Sequence, residues 1–545
     1  MKLAVLSNVN VNFMIRMLKK SEHAVFESEG YGNELGAMLD PASPYHVFDA
    51  NITFVITYLP ELLCHDFEID GAKARIREWF ETFENCLRAD KIYYVADAHL
   101  RGVDMRTQGD PLREDALMAL WNEALSELMK NHANVRMFPY RRLVSEIGER
   151  TAFSEKTWYM GKIPFSSELQ KALVEKILHC VEVETRTPKK VLILDLDNTL
   201  WGGLAGEADH TPVDLSEDHT GLAYKDLQRV LLAMKEQGVV LTVVSKNNEA
   251  DALAVMENNP HMVLKKEDFA ALYINWEPKS ENIRQMAEEL NLGLSSFVFF
   301  DDSALEREEV RQTLPEVTVP DFPEKPEELP EAMQRIHEAY FEKAVVTAED
   351  AAKTRMYREN AKRNELQKSS ADYESYLKSL EIRVIPADPK ANFDRLLQLL
   401  NKTNQFNLTT RRFTAEELSG FLDNPKNRCF LYQVADKFGD NGIVAAVMTE
   451  NKGDTEVITE FVMSCRVMGR RIEDGILTKV EDKLFENGAE RILGEFIPNP
   501  KNAAVASLYS RLGYADGEEK EGVKTYILEK EKRAPREFFA AFATT

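Results

Sequence analysis

Short apolar runs alternate with amphipathic helical segments from the start of the chain, and this alternation constrains the fold more than any other feature. Over residues 1–185 the apolar runs are LAVLS, ITFVITY, KIYYVAD and NVRMFPY, separated by segments such as AKARIREWFETFENCL. Strand-like runs that alternate with helices predict a parallel sheet with helices on both faces. The sequence therefore predicts a three-layer α/β domain over residues 1–185.

The rest of the chain continues with further blocks, as expected because 545 residues are too many for a single core. A second α/β block extends over residues 186–345, with the runs VLILD, VVLTVVSKNN, AALYINW and SFVFFDDS. The charged segment 346–380 has helical spacing and predicts a connecting helix. Residues 381–530 mix strand-like and helical segments and predict an α+β domain, and residues 531–545 are predicted to form a peripheral tail.

The acidic balance of the chain excludes several classes of function. The formal net charge of -23 at pH 7 repels phosphate polymers and anionic bilayers, so we expect no nucleic-acid binding. The 5 cysteines have no CxxC spacing and indicate neither a disulfide framework nor a thiolate zinc site. No apolar run is long enough for a signal peptide or for membrane insertion, and we therefore expect a cytoplasmic protein.

The run VLILDLDNTLWGG places two carboxylates and a threonine directly after a buried type of strand. A carboxylate can attack phosphorus, but two like charges about 4 Å apart repel by roughly 4 kcal/mol at an effective dielectric constant of about 20. A cation is therefore needed, and Mg²⁺ prefers oxygen ligands. We predict that Asp195 is both nucleophile and metal ligand. Asp197 protonates the leaving oxygen, activates water and offers its backbone carbonyl to the metal, while Thr199 fixes the turn beside the substrate.

Polar residues at the later strand ends complete the predicted phosphoryl-transfer site. Ser245 and Asn247 in SKNN are predicted to bind the phosphoryl oxygens, and Lys279 in EPKS offsets the charge that develops on phosphorus. Asp301 and Asp302 in DDS supply the remaining carboxylates for the metal. Each residue alone has a plainer interpretation as a turn, surface or helix-capping residue. Their order after four apolar runs indicates metal-assisted phosphoryl chemistry.

These motifs resemble those of the haloacid dehalogenase (HAD) superfamily. The residues in and around them resemble the sequences of the FkbH-like proteins of its subfamily IIIC. The similar stretches are DLDNTLWGG, SKNN, NWEPKSENI, DDSALERE, NKTNQFNLTTRRFT and MSCRVMGRRIED. The resemblance implies an SGNH-like or flavodoxin-like domain over 1–185, a HAD Rossmann-like domain over 186–345 and a GNAT-like domain over 381–530. The short interval between the first two motifs leaves room only for a minimal cap, a flap that begins WGGLAGEADHTP.

The family resemblance also implies a coupled reaction. FkbH-like proteins are implicated in taking a glyceryl group from 1,3-bisphosphoglycerate, removing phosphate and loading the acyl group on the thiol of an acyl carrier protein. For this chain the resemblance implies Mg²⁺, a small phosphorylated acyl substrate and a carrier-protein partner, with phosphopantetheine or coenzyme A as the thiol. Two alternatives stay open. One is a GNAT-type acyltransferase of polysaccharide or secondary-metabolite biosynthesis with an accessory HAD phosphatase, and the other is a non-enzymatic scaffold.

The stretch MSCRVMGRR carries the candidate residues for acyl transfer. By resemblance Cys465 carries a transient glyceryl thioester, and the adjacent Arg466 favours the thiolate. The alternative is a small buried residue in a core strand. The segment from Arg466 to Arg471 approximates a GNAT pyrophosphate loop around Gly469, in which Arg471 replaces a small residue.

Two further segments are assigned to substrate binding on the resemblance. Asn502 and Tyr509 in NAAVASLYSRLGY match the second GNAT motif, in which Tyr509 can protonate a departing thiolate. The pair Arg411 and Arg412 in NQFNLTTRR either holds an anionic substrate or caps and pairs with the protein's own acidic groups.

The first domain offers little support for hydrolase activity. Ser7 and Asn8 follow the first predicted strand, where an SGNH hydrolase carries its nucleophile. Such an enzyme needs a histidine base near the end of the domain, but residues 133–178 contain none. We therefore expect a docking or scaffolding domain.

Overall fold

The computed structural model describes residues 1–27, 32, 34–64, 68–101, 113–206, 213–346, 350 and 353–543. The chain divides into two compact units, Met1–Thr187 and Pro188–Thr545. Within these residues, one β-sheet belongs to the first unit and two belong to the second. None of the described helices combines the length and the apolar character that crossing a bilayer requires.

The first unit contains a five-stranded sheet in the order β2-β1-β3-β4-β5, with every neighbouring pair parallel. This is the strand order of flavodoxin-like doubly wound folds. Its strands are β1 (Lys2–Leu6), β2 (Ala24–Val25), β3 (Ile52–Val55), β4 (Ile92–Ala96) and β5 (Val135–Phe138). The described helices are Asn12–Leu18, Glu34–Leu39, Pro44–Phe48, Leu59–Leu62, Ile69–Glu84, Arg113–Asn131, Tyr140–Ile147, Glu149–Ala152, Glu155–Gly161 and Ser167–Thr185.

Alternate residues of β1 enter two separate apolar cores, one on each face of this sheet. Leu3 and Val5 pack with the helix Ser167–Thr185, and Ala4 and Leu6 pack with the helix Ile69–Glu84 on the other face. Successive side chains of a strand point to opposite faces, so both faces of a helix-covered sheet must be apolar. The predicted three-layer α/β arrangement is confirmed for this unit, while its SGNH-like assignment stays a prediction.

Ser7 and Asn8 make structural contacts at the end of β1. The hydroxyl of Ser7 donates to the carbonyl of Ile56 at 2.6 Å, and the side chain of Asn8 both donates to and accepts from the backbone of Tyr58, at 3.1 and 2.8 Å. These hydrogen bonds tie the segment after β1 to the segment after β3.

The first sheet of the second unit has four parallel strands in the order β8-β7-β6-β9. The four apolar runs predicted for residues 186–345 form these strands, namely β6 (Val191–Leu194), β7 (Val240–Ser245), β8 (Phe269–Ile274) and β9 (Phe297–Phe300). Its α-helices are His219–Glu236, Glu249–Asn258, Lys279–Glu289, Ala304–Thr313 and Leu329–Ile336. Shorter 3-10 or π segments are Lys266–Asp268, Leu294–Ser296, Pro326–Glu328 and His337–Phe341.

The second sheet of this unit is mixed, with eight strands in the order β15-β16-β14-β13-β12-β11-β10-β17. The strands are β10 (Arg383–Ala387), β11 (Asn427–Asp436), β12 (Gly439–Asn451), β13 (Thr455–Met463), β14 (Arg491–Phe496), β15 (Ala515–Lys520), β16 (Val523–Glu529) and β17 (Ala541–Phe542). The α-helices around it are Phe393–Lys402, Ala415–Asp423, Ile472–Glu486 and Leu508–Arg511. The 3-10 turns are Cys465–Val467, Ala503–Val505 and Lys530–Lys532.

The charged segment between the two sheets forms two helices, Lys353–Ser369 and Tyr373–Ser379, in place of the single predicted helix. It is anchored by a buried ion cluster. Both oxygens of Asp436 accept hydrogen bonds from Arg363, at 2.7 and 2.8 Å, and Arg470 adds a third at 3.0 Å. Buried charges need a hydrogen-bonded partner of opposite charge, and Asp436 is such a partner for both arginines.

The final segment is not peripheral, in contrast to the expectation from its sequence. Residues 541–542 add β17 to the edge of β10. The buried carboxylate of Glu481 accepts hydrogen bonds from Arg533 at 2.9 Å and from Arg536 at 2.8 Å. Because a buried carboxylate needs cationic partners, these contacts fasten the tail to the helix Ile472–Glu486.

Candidate active site

The predicted phosphoryl-transfer residues lie at the carboxyl ends of the four parallel strands. Asp195 follows β6, Asp301 and Asp302 follow the neighbouring β9, Ser245 ends β7, and Lys279 begins the helix after β8. In this sheet β6 lies between β7 on one side and β9 on the other, so the strand order reverses at β6. In open α/β sheets such a reversal of strand order opens a crevice at the carboxyl edge.

Lys279 connects two of the carboxylates at the centre of this crevice. Its Nζ lies 3.1 Å from Oδ1 of Asp195 and 2.5 Å from Oδ2 of Asp301. Relative exposures are only 2% for Lys279, 7% for Asp195 and 0% for Asp301. Burial by itself lowers the pKa of Lys279, but the two carboxylates outweigh it, so the pKa lies above its ordinary value. Lys279 is therefore a permanent cation at this site.

Asp195, Asp301 and Asp302 form a group that suits a hard cation. One carboxylate oxygen from each lies within 4.8 Å of the other two. Burial and the charge of Asp195 raise the pKa of Asp301 to about 7 and also raise the pKa of Asp302. Oδ1 of Asp195 faces only Lys279, and the buried Oγ1 of Thr199 has no hydrogen-bond partner among the described residues. An all-oxygen group with excess negative charge fits Mg²⁺.

Asp197 is held by three hydrogen bonds and is not a member of the carboxylate group. Its Oδ1 accepts from Nε1 of Trp201 at 2.8 Å and from the amide of Ala205 at 3.1 Å, and its Oδ2 accepts from Nδ2 of Asn247 at 2.8 Å. Burial raises the pKa of Asp197, the hydrogen bonds lower it, and the charges of Asp195 and Asp302 raise it further, so the pKa lies above its ordinary value. This environment suits a proton donor.

Two supporting residues were missed by the sequence reasoning. The sequence predicts only the start of a flap at Trp201, but its buried indole donates to Asp197 and orients that carboxylate. Arg307 donates to the backbone carbonyls of Asp301 and Asp302, at 2.8 and 2.7 Å, and so fixes the loop that carries these two carboxylates. No sequence spacing predicts either contact, because each depends on the path of the loop after the strand.

The turn after Asp197 requires a left-handed residue and a glycine. Asn198 has a φ of 52°, and its side chain accepts a hydrogen bond from the amide of Gly203 at 2.9 Å. At Gly202 an added Cβ would lie 2.9 Å from the ring of Tyr224, which excludes a side chain there. Gly202 also forms an antiparallel β-bridge with Asp214, so the two ends of the predicted flap lie side by side. Residues 207–212 of this flap lie outside the described residues.

The predicted phosphate-binding residues of the second motif have different environments. Ser245 is 2% exposed at the end of β7, and its carbonyl accepts from the amide of Asn275 at 3.1 Å. Asn247 donates to Asp197, and its Oδ1 accepts from the amide of Asn248 at 2.7 Å. Asn247 therefore orients the carboxylate of Asp197, the predicted proton donor.

Arg411 and Arg412 are bound by acceptors of the protein itself. Arg411 contacts Glu495 at 2.7 Å and the buried Glu460 at 3.5 Å. Arg412 donates to the carbonyls of Leu400 at 2.6 Å and Thr403 at 3.2 Å, and so caps the helix Phe393–Lys402. These contacts match the capping and pairing alternative, and substrate binding by the two arginines stays a prediction.

Asn502 and Tyr509 also occupy structural positions. Nδ2 of the buried Asn502 donates to the carbonyls of Asn407 at 2.9 Å and Ile497 at 3.0 Å. The hydroxyl of Tyr509 is buried without a hydrogen-bond partner among the described residues, and burial places its pKa well above the ordinary value. The ring packs so closely on Gly494 that an added Cβ would lie 2.3 Å from it.

The predicted pyrophosphate loop contacts the helices that connect the two sheets. Arg466 donates to Oγ of Ser464 at 3.0 Å, and the carbonyl of Gly469 accepts from the hydroxyl of Tyr373. Arg471 has a φ of 52° and precedes the helix Ile472–Glu486. Cys465 begins the turn Cys465–Val467 directly after β13. The side chain of Cys465 lies outside the described part of the structure, and its covalent role stays a prediction.

No protein-family model matches the chain, and no curated protein matches it. Among solved structures, it is similar to the N-terminal part of protein BF1531 from Bacteroides fragilis, described as containing a phosphatase domain complexed with Mg. That likeness has 25% identity and a TM-score of 0.55, and it covers 63% of this chain and 94% of that one.

Two further structures are similar at much lower TM-scores. A domain from Methanocaldococcus jannaschii has 13% identity and a TM-score of 0.24 over 28% of this chain and 99% of its own. The GNAT domain of PAT from S. lividans has 15% identity and a TM-score of 0.22 over 27% of this chain and 89% of its own. Of the three likenesses, only that to the Bacteroides fragilis protein is strong enough to bear on this chain.

Proposed function

We propose that the chain is a Mg²⁺-dependent phosphoryl-transfer enzyme of the HAD type with Asp195 as its nucleophile. The observation that carries the proposal is the buried contact of Lys279 with both Asp195 and Asp301, beside Asp302, at the carboxyl edge of β6 and β9. The likeness to a protein with a Mg-complexed phosphatase domain supports it. When bound, Mg²⁺ neutralises negative charge between the carboxylates and the phosphoryl group.

The residues divide the transfer into two steps. In the first, an oxygen of Asp195 forms a bond to phosphorus while the bond from phosphorus to the leaving oxygen breaks, and Asp197 gives its proton to that oxygen. In the second, Asp197 takes a proton from water, the water oxygen bonds to phosphorus, and the bond to Asp195 breaks. Lys279 stays protonated throughout and offsets charge on the phosphoryl oxygens.

We further propose that the substrate is a phosphorylated three-carbon acyl donor, such as 1,3-bisphosphoglycerate. A thiolate attacks its carbonyl carbon, so that a carbon–sulfur bond forms while the bond from that carbon to the phosphate oxygen breaks and phosphate leaves, and Asp195 removes the phosphate ester at the other end. The glyceryl group then passes by thioester exchange to the thiol of an acyl carrier protein. The sequence resemblance supports this finer assignment, with Cys465 as the candidate intermediate acceptor. An acyl phosphate is already activated, so the acyl step needs mainly positioning and a thiolate.

Intact-mass measurement tests the coupled reaction. The protein is incubated with Mg²⁺, 1,3-bisphosphoglycerate and a phosphopantetheinylated carrier protein, and we expect a glyceryl adduct on the carrier together with phosphate release. The adduct should disappear in Asp195→Asn and in Cys465→Ser. Phosphate release without any acyl adduct would leave the phosphatase assignment standing and remove the acyl-transfer assignment. Full loading by Cys465→Ser would remove only the covalent role of that residue.

Replacing Trp201 by Phe is expected to slow phosphate release without changing Mg²⁺ affinity. The indole donates one hydrogen bond to Asp197, and a hydrogen bond to a carboxylate contributes roughly 1.5–3 kcal/mol. We therefore expect kcat to fall about ten- to hundred-fold. Steady-state phosphate release and calorimetric Mg²⁺ titration measure the two quantities. Trp158→Phe, in the first unit, is the matched control; an unchanged kcat in folded Trp201→Phe would show that the indole does not position Asp197.

A further inference from the structure

The parallel strands β13 and β14 separate before they end. Within the described chain, their register of paired residues stops at Ile458 and Gly494, although β13 continues to Met463 and β14 to Phe496. Strands that diverge in this way leave backbone N–H and C=O groups facing a gap. Buried groups of this kind need partners, which either a ligand or another part of the chain can provide.

Residues 406–408 of the same chain, here called the inserted segment, lie in this gap as a short antiparallel strand. The carbonyl of Phe406 accepts a hydrogen bond from the amide of Met463 at 3.0 Å. The amide of Leu408 donates to the carbonyl of Phe461 at 3.1 Å. The ring of Phe406 also packs edge-on against that of Phe461, with 5.1 Å between the centroids. The inserted segment therefore pairs with the part of β13 that β14 has left.

The inserted segment is bound on the side of β14 as well. The carbonyl of Leu408 accepts from the amide of Ile497, directly after β14, at 2.8 Å. Nδ2 of Asn502, a residue that is 0% exposed, donates to the carbonyl of Asn407 at 2.9 Å. All three residues of the inserted segment are buried. Their contacts join β13 to the chain after β14 across the whole gap.

The chain after the inserted segment is fixed in a conformation that few residues adopt. Thr410 has a φ of 55°, in the left-handed region that β-branched residues avoid. Oδ1 of Asn407 accepts from the amides of Thr409 and Thr410, at 3.2 and 2.7 Å, and the hydroxyl of Thr409 donates to the buried Glu460. Such backbone strain persists only where surrounding contacts impose it, so the inserted segment is held in one position.

A coenzyme A molecule placed on the residues predicted for it would need this same gap. Its pyrophosphate would lie at the loop around Gly469, after β13, and its thiol at the hydroxyl of Tyr509. The ring of Tyr509 packs on Gly494, the residue of β14 at which pairing with β13 stops. The arm between pyrophosphate and thiol would therefore run from the end of β13 toward Gly494, where the inserted segment lies.

The groups predicted to bind coenzyme A are themselves enclosed or engaged. The side chain of Tyr509 is 1% exposed. In the loop, the carbonyl of Gly469 accepts from the hydroxyl of Tyr373, and Arg470 donates to Asp436 at 3.0 Å. These contacts fix the loop to the connecting helices and to the end of β11. The residues present therefore do not fit coenzyme A.

We infer that the inserted segment is a permanent strand of the eight-stranded domain, and that no pantetheine arm enters between β13 and β14. The segment acts instead as a positioning element, because it fixes the end of β13 from which the turn Cys465–Val467 begins. The inference goes beyond the proposed function and removes acyl-coenzyme A, bound within the sheet, from the possible acyl donors. Transfer to a carrier thiol then has to take place outside this sheet.

Hydrogen exchange of the full chain, followed by mass spectrometry, tests the inference. We expect the amides of Leu408, Met463 and Ile497 to exchange as slowly as those in the ladder between β12 and β13. Coenzyme A at about 1 mM should leave these rates unchanged, and calorimetric titration should show no binding in the gap.

Replacing Asn502 by Ala is expected to release the inserted segment. The variant removes a buried donor from the carbonyls of Asn407 and Ile497, so exchange of the Leu408 amide should accelerate by at least about tenfold. Asn487→Ala, at an exposed position after the helix Ile472–Glu486, is the matched control and should leave that rate unchanged.

Two outcomes overturn the inference. One is exchange of the Leu408 amide as fast as that of exposed loops, and the other is binding of coenzyme A that changes the exchange of Leu408 or Met463. Binding that leaves these amides unchanged would lie outside the gap and agrees with the inference. Should Asn502→Ala fail to fold, exchange of the unaltered protein with and without coenzyme A decides by itself.

Discussion

Replacing Asp195 by Asn is expected to abolish phosphate release while leaving the fold intact. The amide cannot attack phosphorus, and it removes one charge from the group that contains Asp301 and Asp302. Loss of a catalytic nucleophile lowers kcat by roughly 10⁴-fold or more. Continuous measurement of phosphate release from a phosphate monoester in the presence of Mg²⁺ gives this ratio.

The matched control for this variant is Asp321→Asn. Asp321 pairs with Arg311 at 2.9 Å and has a side chain that is 97% exposed, so the same chemical change there should leave kcat unaltered. Phosphate release by folded Asp195→Asn at a rate close to that of Asp321→Asn would mean that Asp195 is not the nucleophile.

Replacing Asp436 by Asn is expected to produce the largest loss of stability. Both guanidinium groups that it pairs are buried, since Arg363 is 2% exposed and Arg470 is 6% exposed. Removing one partner of a buried ion cluster costs about 3–5 kcal/mol, because the remaining charges stay desolvated. The free energy of unfolding, measured by urea denaturation followed by circular dichroism, should fall by that amount.

The pH dependence of this effect follows from the ion cluster. Burial by itself raises the pKa of Asp436, but Arg363 and Arg470 hold it below its ordinary value. Its contribution to stability is therefore present above the unfolded-state pKa of about 3.9 and is lost as the pH falls through the lower folded value. Asp440→Asn, at the exposed start of β12, is the control. Equal stability of the two variants at pH 7 would contradict a structural role for the cluster.

The predicted phosphoryl-transfer site could be located from the sequence because each of its residues follows an apolar run. Strand ends meet at one edge of a parallel sheet, so the positions of Asp195, Ser245 and Asp301 along the chain already imply their proximity. The contacts of Trp201 and Arg307 could not be predicted in this way. Each joins a side chain to an atom whose position depends on the loop after a strand.

The contacts of the arginines around the eight-stranded sheet could not be predicted from the sequence. Arg411 and Arg412 form a basic pair in the sequence, and nothing in its spacing distinguishes a substrate site from contacts with Glu495 and the end of a helix. Arg363 lies in a segment so charged that its burial could not be foreseen, because its partner Asp436 is distant in sequence. The tail could not be placed from the sequence for the same reason, because Arg533 and Arg536 bind Glu481, which is also distant in sequence.

Mass spectrometry of the acid-quenched protein tests the central claim most directly. The protein is mixed with Mg²⁺ and a phosphate monoester, quenched within the first turnover and digested. We predict a phosphoryl group on the peptide that contains Asp195, absent from Asp195→Asn and more abundant in Asp197→Asn, which lacks the base for the second step. Phosphate release with no phosphoryl group on that peptide in Asp197→Asn, or with the group on another residue, would contradict the account.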